Sequence, residues 1–179
     1  MSDIIIQDNF LDKDYFENIK NTILSPEFPW YMRPTLDPDG PGNPKTDYQM
    51  THVAYFFDKA LSPLYGHLTD MGNKMGVFVF TKVKVNLNKR TETSVEAGYH
   101  VDMAKSPPNA LTSVFYLNTN NGYTKFETGE IVESVANRLV TFPQHIQHTG
   151  ATNTCDEQYR CVLNLNWLKA AWHSLLTTV

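Results

Sequence analysis

From Gly76 almost to the end of the chain, apolar side chains fall on every second residue, a period that fits strands and not helices. Val83, Val85 and Leu87 alternate with Lys82, Lys84, Asn86 and Asn88. A second run, 111–118, puts Thr112, Val114, Tyr116 and Asn118 on one face. Shorter strands are expected at 123–126 and 131–133, joined by a Thr128-Gly129 turn, then at 139–142 and 159–167. Many short strands separated by turn residues suit a sandwich or barrel better than a parallel α/β sheet.

Helical spacing is confined to the amino-terminal part. Tyr15, Phe16, Ile19, Thr22 and Ile23 form one stripe, with Asp12 placed to cap the helix. A second helix is expected over 62–74, with Leu64, Leu68 and Met71 inward and an end near Gly76. Between them, residues 31–50 hold a Pro/Gly-rich stretch around Asp37-Pro38-Asp39-Gly40-Pro41-Gly42, read as a long loop and a candidate flap. The expected class is mainly β (α+β), with amino-terminal helices flanking a β core at about 78–168. At 179 residues and 41% hydrophobic content, the chain fits one domain spanning 1–179.

Charge and cysteine content narrow the function classes. A net charge of −4 with no dense basic run gives no footing for nucleic acid or an anionic membrane surface. Cys155 and Cys161 are too few for a disulfide framework and read as reduced thiols, as expected in the cytoplasm. The opening Met1-Ser2-Asp3-Ile4 lacks a basic n-region, so no signal peptide is expected, and no apolar run reaches the roughly 20 residues of a membrane span.

Three residues form a candidate metal site. His100 and Asp102 stand two apart on a strand-like stretch, so both can reach one ion from the same face. His148 follows the 139–142 strand and supplies a third ligand, with His145 as its competitor. Two imidazoles and one carboxylate cover one face of an octahedron and leave three positions open, the non-haem iron(II) arrangement. Zinc is the chemical rival, but no glutamate stands beside the ligands as a general base. The strand at 159–167 then sorts into an apolar face (Cys161, Leu163, Leu165, Trp167) and an opposite face of Arg160, Val162, Asn164 and Asn166. With the Lys84/Asn86/Asn88 and Thr112/Tyr116/Asn118 faces, this argues for a polar interior holding a site, where a fixed guanidinium would pair with a carboxylate.

In Tyr99-His100-Val101-Asp102, Phe115-Tyr116-Leu117-Asn118, Gly122-Tyr123-Thr124-Lys125-Phe126, the 137–143 segment, His148-Thr149-Gly150 and Arg160-Cys161-Val162, the chain resembles the 2-oxoglutarate- and iron(II)-dependent oxygenases, in their prolyl-hydroxylase-like branch. The resemblance covers about 83–167. It implies a double-stranded β-helix (jelly roll) with iron(II) held by His100, Asp102 and His148, and 2-oxoglutarate and O2 as cosubstrates. It also implies that Arg160 and Tyr116 bind the distal carboxylate of 2-oxoglutarate, with Asn86 and Thr124 in the same pocket. Because Asp102 is present, hydroxylation is expected rather than halogenation. The implied substrate is a peptide, with a peptidyl proline foremost, or a small molecule. The alternative class is a catalytically silent, cupin-like binding module. Departures from the family are Tyr123 and Asn137 where glycine is usual, and Val162 where Ser or Thr is usual.

Overall fold

The computed structural model describes residues 3–34, 48–103 and 105–170. In chain order these form β1 (Ile5–Gln7), α1 (Lys13–Ile23), β2 (Tyr31–Arg33), β3 (Gln49–Phe56), β4 (Lys59–Ala60), α2 (Leu64–His67), α3 (Thr69–Met75) and β5 (Val77–Lys89). There follow β6 (Ala110–Tyr116), β7 (Tyr123–Phe126), β8 (Ile131–Glu133), β9 (Leu139–Pro143), β10 (His148–Gly150) and β11 (Tyr159–Lys169). The large sheet runs β1-β9-β6-β11-β5-β3-β2, with β4 on β3, and the small one runs β10-β7-β8. The pairings are antiparallel throughout, and the two sheets face each other as a jelly roll.

The alternation on β11 decides how the layers stack. Cys161, Leu163, Leu165 and Trp167 join Val83 and Val85 of β5 in one core with Phe16, Ile19 and Ile23 of α1, Leu68 just before α3 and Met71 of α3. Each such fully buried aliphatic or aromatic side chain contributes about 1.5–3 kcal/mol by leaving water. The opposite face turns toward the small sheet, where Val114, Tyr116, Val140, Phe142 and Val162 meet Phe126 of β7 and Val132 of β8. This second cluster is short, and beyond it the inner faces of β5, β6 and β11 are polar. A cavity of about 310 Å³ opens there.

The strands expected at 123–126 and 131–133 have those bounds, and the 139–142 and 159–167 strands run one and two residues further. Other expectations change. The single helix over 62–74 is two short ones, broken at Leu68 (φ −102°, ψ 2°), with Leu64, Leu68 and Met71 all buried as expected. It stops at Gly76, whose φ of 74° suits a residue without Cβ. Asp12 stands at the cap position of α1, but its side chain makes no capping bond. The 31–50 stretch is not wholly loop, since Tyr31–Arg33 is β2 and Gln49–Met50 opens β3. The Pro/Gly run that suggested a flap lies at 35–47, outside the described residues.

Asn137 accounts for one departure from the resemblance. Its φ is 63°, the left-handed region where glycine is usual, and its side chain does what glycine cannot. The amide oxygen accepts from the Leu11 N–H at 2.8 Å, while the amide nitrogen donates to the Leu11 carbonyl at 2.7 Å. The amino-terminal segment is thereby pinned to the turn before β9.

Candidate metal centre

His100, Asp102 and His148 converge, their ligand atoms all within 4.8 Å of one another. A two-way backbone bridge makes this possible: His100 N–H donates to the His148 carbonyl and His148 N–H to the His100 carbonyl, both at 3.0 Å. In each ring Nδ1 lies 3.2 Å from the carbonyl two residues earlier, Gly98 for His100 and Ile146 for His148. That contact favours a proton on Nδ1 and leaves Nε2 as the lone-pair donor. His148 is buried against Phe142, with ring centroids 4.8 Å apart. Burial pushes its pKa below the ordinary histidine value, against an opposing pull from Asp102, and the lowered pKa favours the neutral form that a metal requires.

The Asp102 carboxylate is held from three sides. Asn166 donates to Oδ2 at 2.9 Å, Thr112 donates to the same oxygen at 3.1 Å, and Asn164 reaches Oδ1 at 3.3 Å. Burial works to raise its pKa. His148, Lys82, the Asn166 bond and His100 together outweigh burial and keep the carboxyl below its ordinary value. The sequence showed Thr112, Asn164 and Asn166 as parts of polar faces but gave them no task, because their target lies ten to sixty-four positions away.

Arg160 sits at the other end of the same cavity. On β11 it pairs with Asn88 of β5, whereas Asn164 and Asn166 pair with Lys84 and Lys82. The cavity therefore runs along the two strands, from Arg160 to the metal carboxylate. The guanidinium is 4% exposed and among the described residues has no carboxylate partner. Its Nε donates to Ser134 Oγ at 2.8 Å, its Nη2 to Thr124 Oγ1 at 3.0 Å, and its carbon lies 5.5 Å above the Tyr116 ring. Burial lowers its pKa, yet guanidinium stays protonated in proteins. A buried cation with only hydroxyl partners is costly unless an anion joins it.

Two glycines open the space Arg160 uses. A Cβ on Gly122 would come within 2.7 Å of Arg160 Cδ, and one on Gly150 within 3.4 Å of Arg160 Nη1. Of the four residues tied to the diacid by resemblance, Asn86, Thr124 and Arg160 line the cavity. Tyr116 is fully buried behind it, and its hydroxyl donates to Thr124 Oγ1 at 2.8 Å. It thus shares Thr124 with the guanidinium rather than opening onto the cavity. Ser134, unremarked in the sequence, fixes the Nε side.

The remaining histidines stay apart from this centre. His145 is exposed and borders a separate hollow with Val101, Met103, Lys105, Ser106 and Pro107. His52 is buried with Nδ1 2.8 Å from the Pro29 carbonyl, His67 is exposed, and His173 lies outside the described residues.

A scan against protein-family models and a search of curated proteins returned no match. Comparison with solved structures did. A 2OG-Fe(II) oxygenase family oxidoreductase from Burkholderia pseudomallei superposes with a TM-score of 0.69 at 12% identity, over 93% of this chain and 85% of that one. The chain has the fold of the 2-oxoglutarate and iron(II) oxygenases. A prolyl-4-hydroxylase from Pseudomonas putida aligns over 94% of this chain and 93% of its own, with a TM-score of 0.59 and 16% identity. A Trichoplax adhaerens prolyl hydroxylase, solved with a hypoxia inducible factor peptide fragment, gives 0.59 at 11% identity, over 93% of this chain and 83% of that one. The expected jelly roll with flanking helices is therefore borne out.

Proposed function

We propose that this protein is an iron(II)- and 2-oxoglutarate-dependent dioxygenase that hydroxylates a C–H bond of its substrate. The observation that carries this reading is the pairing, in one cavity, of a two-histidine, one-carboxylate cluster with a buried cation that lacks an acid. The donor set fits iron(II): two imidazoles with Nε2 left as the lone-pair donor and a carboxylate held from three sides, with open space beside them. Zinc hydrolysis fits less well, because among the described residues Asp102 is the sole carboxylate of the lining and no general base stands next to it.

In this reading His100, Asp102 and His148 hold the metal. Arg160, supported by Thr124 and Ser134, takes the distal carboxylate of 2-oxoglutarate, and Tyr116 keeps the Thr124 hydroxyl in place. Asn86 sits between, with a buried amide oxygen that has no donor among the described residues. Bound iron(II) with 2-oxoglutarate and O2 would supply the oxidising chemistry, releasing succinate and carbon dioxide. The chain's own residues fix the two ends of the cosubstrate, and burial of His148 disfavours its protonation. The substrate is a peptide or a small molecule, with peptidyl proline favoured by the likeness to prolyl hydroxylases. The chain is read as a single domain with no nucleic-acid partner and a cytoplasmic location. Among the described residues no helix is long and apolar enough to cross a membrane.

The test is succinate formation by iron(II)-loaded protein with 2-oxoglutarate and O2 in the absence of substrate. Slow uncoupled turnover is expected, and Asp102→Ala should cut it by about a hundredfold or more, the scale of losing a metal ligand. If the wild type binds iron and forms no succinate at saturating 2-oxoglutarate, the cupin-like binding module becomes the better reading.

A further inference from the structure

The cavity holds more positive charge than iron and 2-oxoglutarate account for. Arg33 at the end of β2 and Lys82 and Lys84 of β5 line it together with Arg160, and among the described residues the lining has one carboxylate, Asp102. The two negative charges of the diacid offset the two positive charges of iron(II), and Asp102 offsets Arg160. Arg33, Lys82 and Lys84 are left over.

Those three are close enough to act on one another. Lys82 and Arg33 both depress the Lys84 pKa, after burial as the leading cause, and Lys82 lowers that of Asp102. Among the described residues none of the three forms an ion pair, and the Lys84 ammonium has only the Gln49 amide oxygen, at 3.4 Å. Three like charges beside a single carboxylate that Asn164, Asn166 and Thr112 already hold repel one another, so the wall needs an occupant to make sense.

Strand register gives that occupant a place. Lys84 pairs with Asn164 and Lys82 with Asn166, the two residues that hold Asp102, whereas Arg160 pairs with Asn88. From Asn88 to Lys82 is six residues of strand, about 20 Å. The lysines are thus at the metal end, away from the cation that takes the distal carboxylate. The Asn164 amide oxygen is buried there with no donor among the described residues, which suits a ligand with an N–H or hydroxyl next to its charge.

Resting on the oxygenase reading above, we propose that the substrate is an anion, whose carboxylate docks on Lys82, Lys84 and Arg33 and so sets its C–H bond beside the metal. The carboxylate can belong to a free acid or to an acidic side chain of a peptide, and both carry the same recognition chemistry.

The test is calorimetric binding to protein saturated with manganese(II) and 2-oxoglutarate, which fills the diacid seat without turnover. Two matched pairs serve as probes: N-acetyl-L-proline against N-acetyl-L-prolinamide, and acetyl-Glu-Pro-Glu-amide against acetyl-Gln-Pro-Gln-amide. The acid member of at least one pair should bind about tenfold or more tightly than its amide, as expected for one charge-assisted contact. Which pair shows the preference tells a free acid from an acidic peptide. A Lys82→Gln/Lys84→Gln variant should lose the preference while keeping its affinity for 2-oxoglutarate, and Lys84→Arg should retain both.

Equal binding of acid and amide in both pairs, or no binding of any probe, overturns the proposal. So does a double variant that still prefers the acid. A fall in 2-oxoglutarate affinity in the double variant also overturns it, since the lysines would then serve the cosubstrate. If wild-type protein fails to bind 2-oxoglutarate, the oxygenase reading fails instead. The acid–amide comparison on the protein alone then still decides whether this wall takes an anion.

Discussion

Lys84 shows what single residues give up to build this cavity. Burial, then Lys82 and Arg33, push its pKa from the ordinary 10.5 to about 8, with Asp102 pulling the other way. Between about pH 8 and 10.5 the unfolded chain binds a proton that the folded chain does not, so stability rises with pH across that window. Below it, both states are protonated and the folded state bears the whole cost. Lys84→Met should therefore raise unfolding stability at pH 7 by about 1–3 kcal/mol and flatten the rise above pH 8, measured by urea denaturation. A less stable variant would mean that Lys84 is favourably paired. The sequence showed Lys82 and Lys84 on a polar face, but not that this face is walled in, because burial depends on strands far off in the chain. His100 and Asp102 were easier to read, since a spacing of two is local, although the segment is no strand: His100 makes an isolated bridge to His148 and Asp102 lies in a bend.

At the scale of elements, β5, β6 and β11 were legible, whereas β10, which carries His148, and the supports of the centre were not. The alternation on β5, β6 and β11 reports which face is buried, and a one-residue slip would turn it inside out. β3 had no such signal. Thr51, His52 and Ala54 are all buried, so its faces do not sort into apolar and polar. The Asn137–Leu11 contact joins residues 126 positions apart and leaves no local trace. It fastens the amino-terminal segment to the turn before β9. Asn137→Ala loses both bonds and places an alanine at a positive φ, and should cost about 2–4 kcal/mol in denaturant melts. Asn137→Gly keeps the backbone allowed and should cost about 1–2 kcal/mol. Equal losses in the two variants would indicate that backbone conformation contributes nothing there.

Across the molecule, the two cores divide the labour. The larger one packs the helices on one face of the large sheet, and the smaller one stops short between the sheets, so that the polar inner faces enclose a cavity. The proposed metal ligands come from the segment before β6 and from β10, while the cation comes from β11, and only closure of the jelly roll brings them to one space. The direct test of the central claim, that this is a metal-plus-diacid site, is an anaerobic titration of iron(II) and 2-oxoglutarate followed by the visible charge-transfer band. The wild type should develop the band, His100→Ala should not, and Arg160→Met should need about tenfold or more 2-oxoglutarate to reach it. A band that forms equally well without Arg160, or no band in the wild type with iron bound, would contradict it.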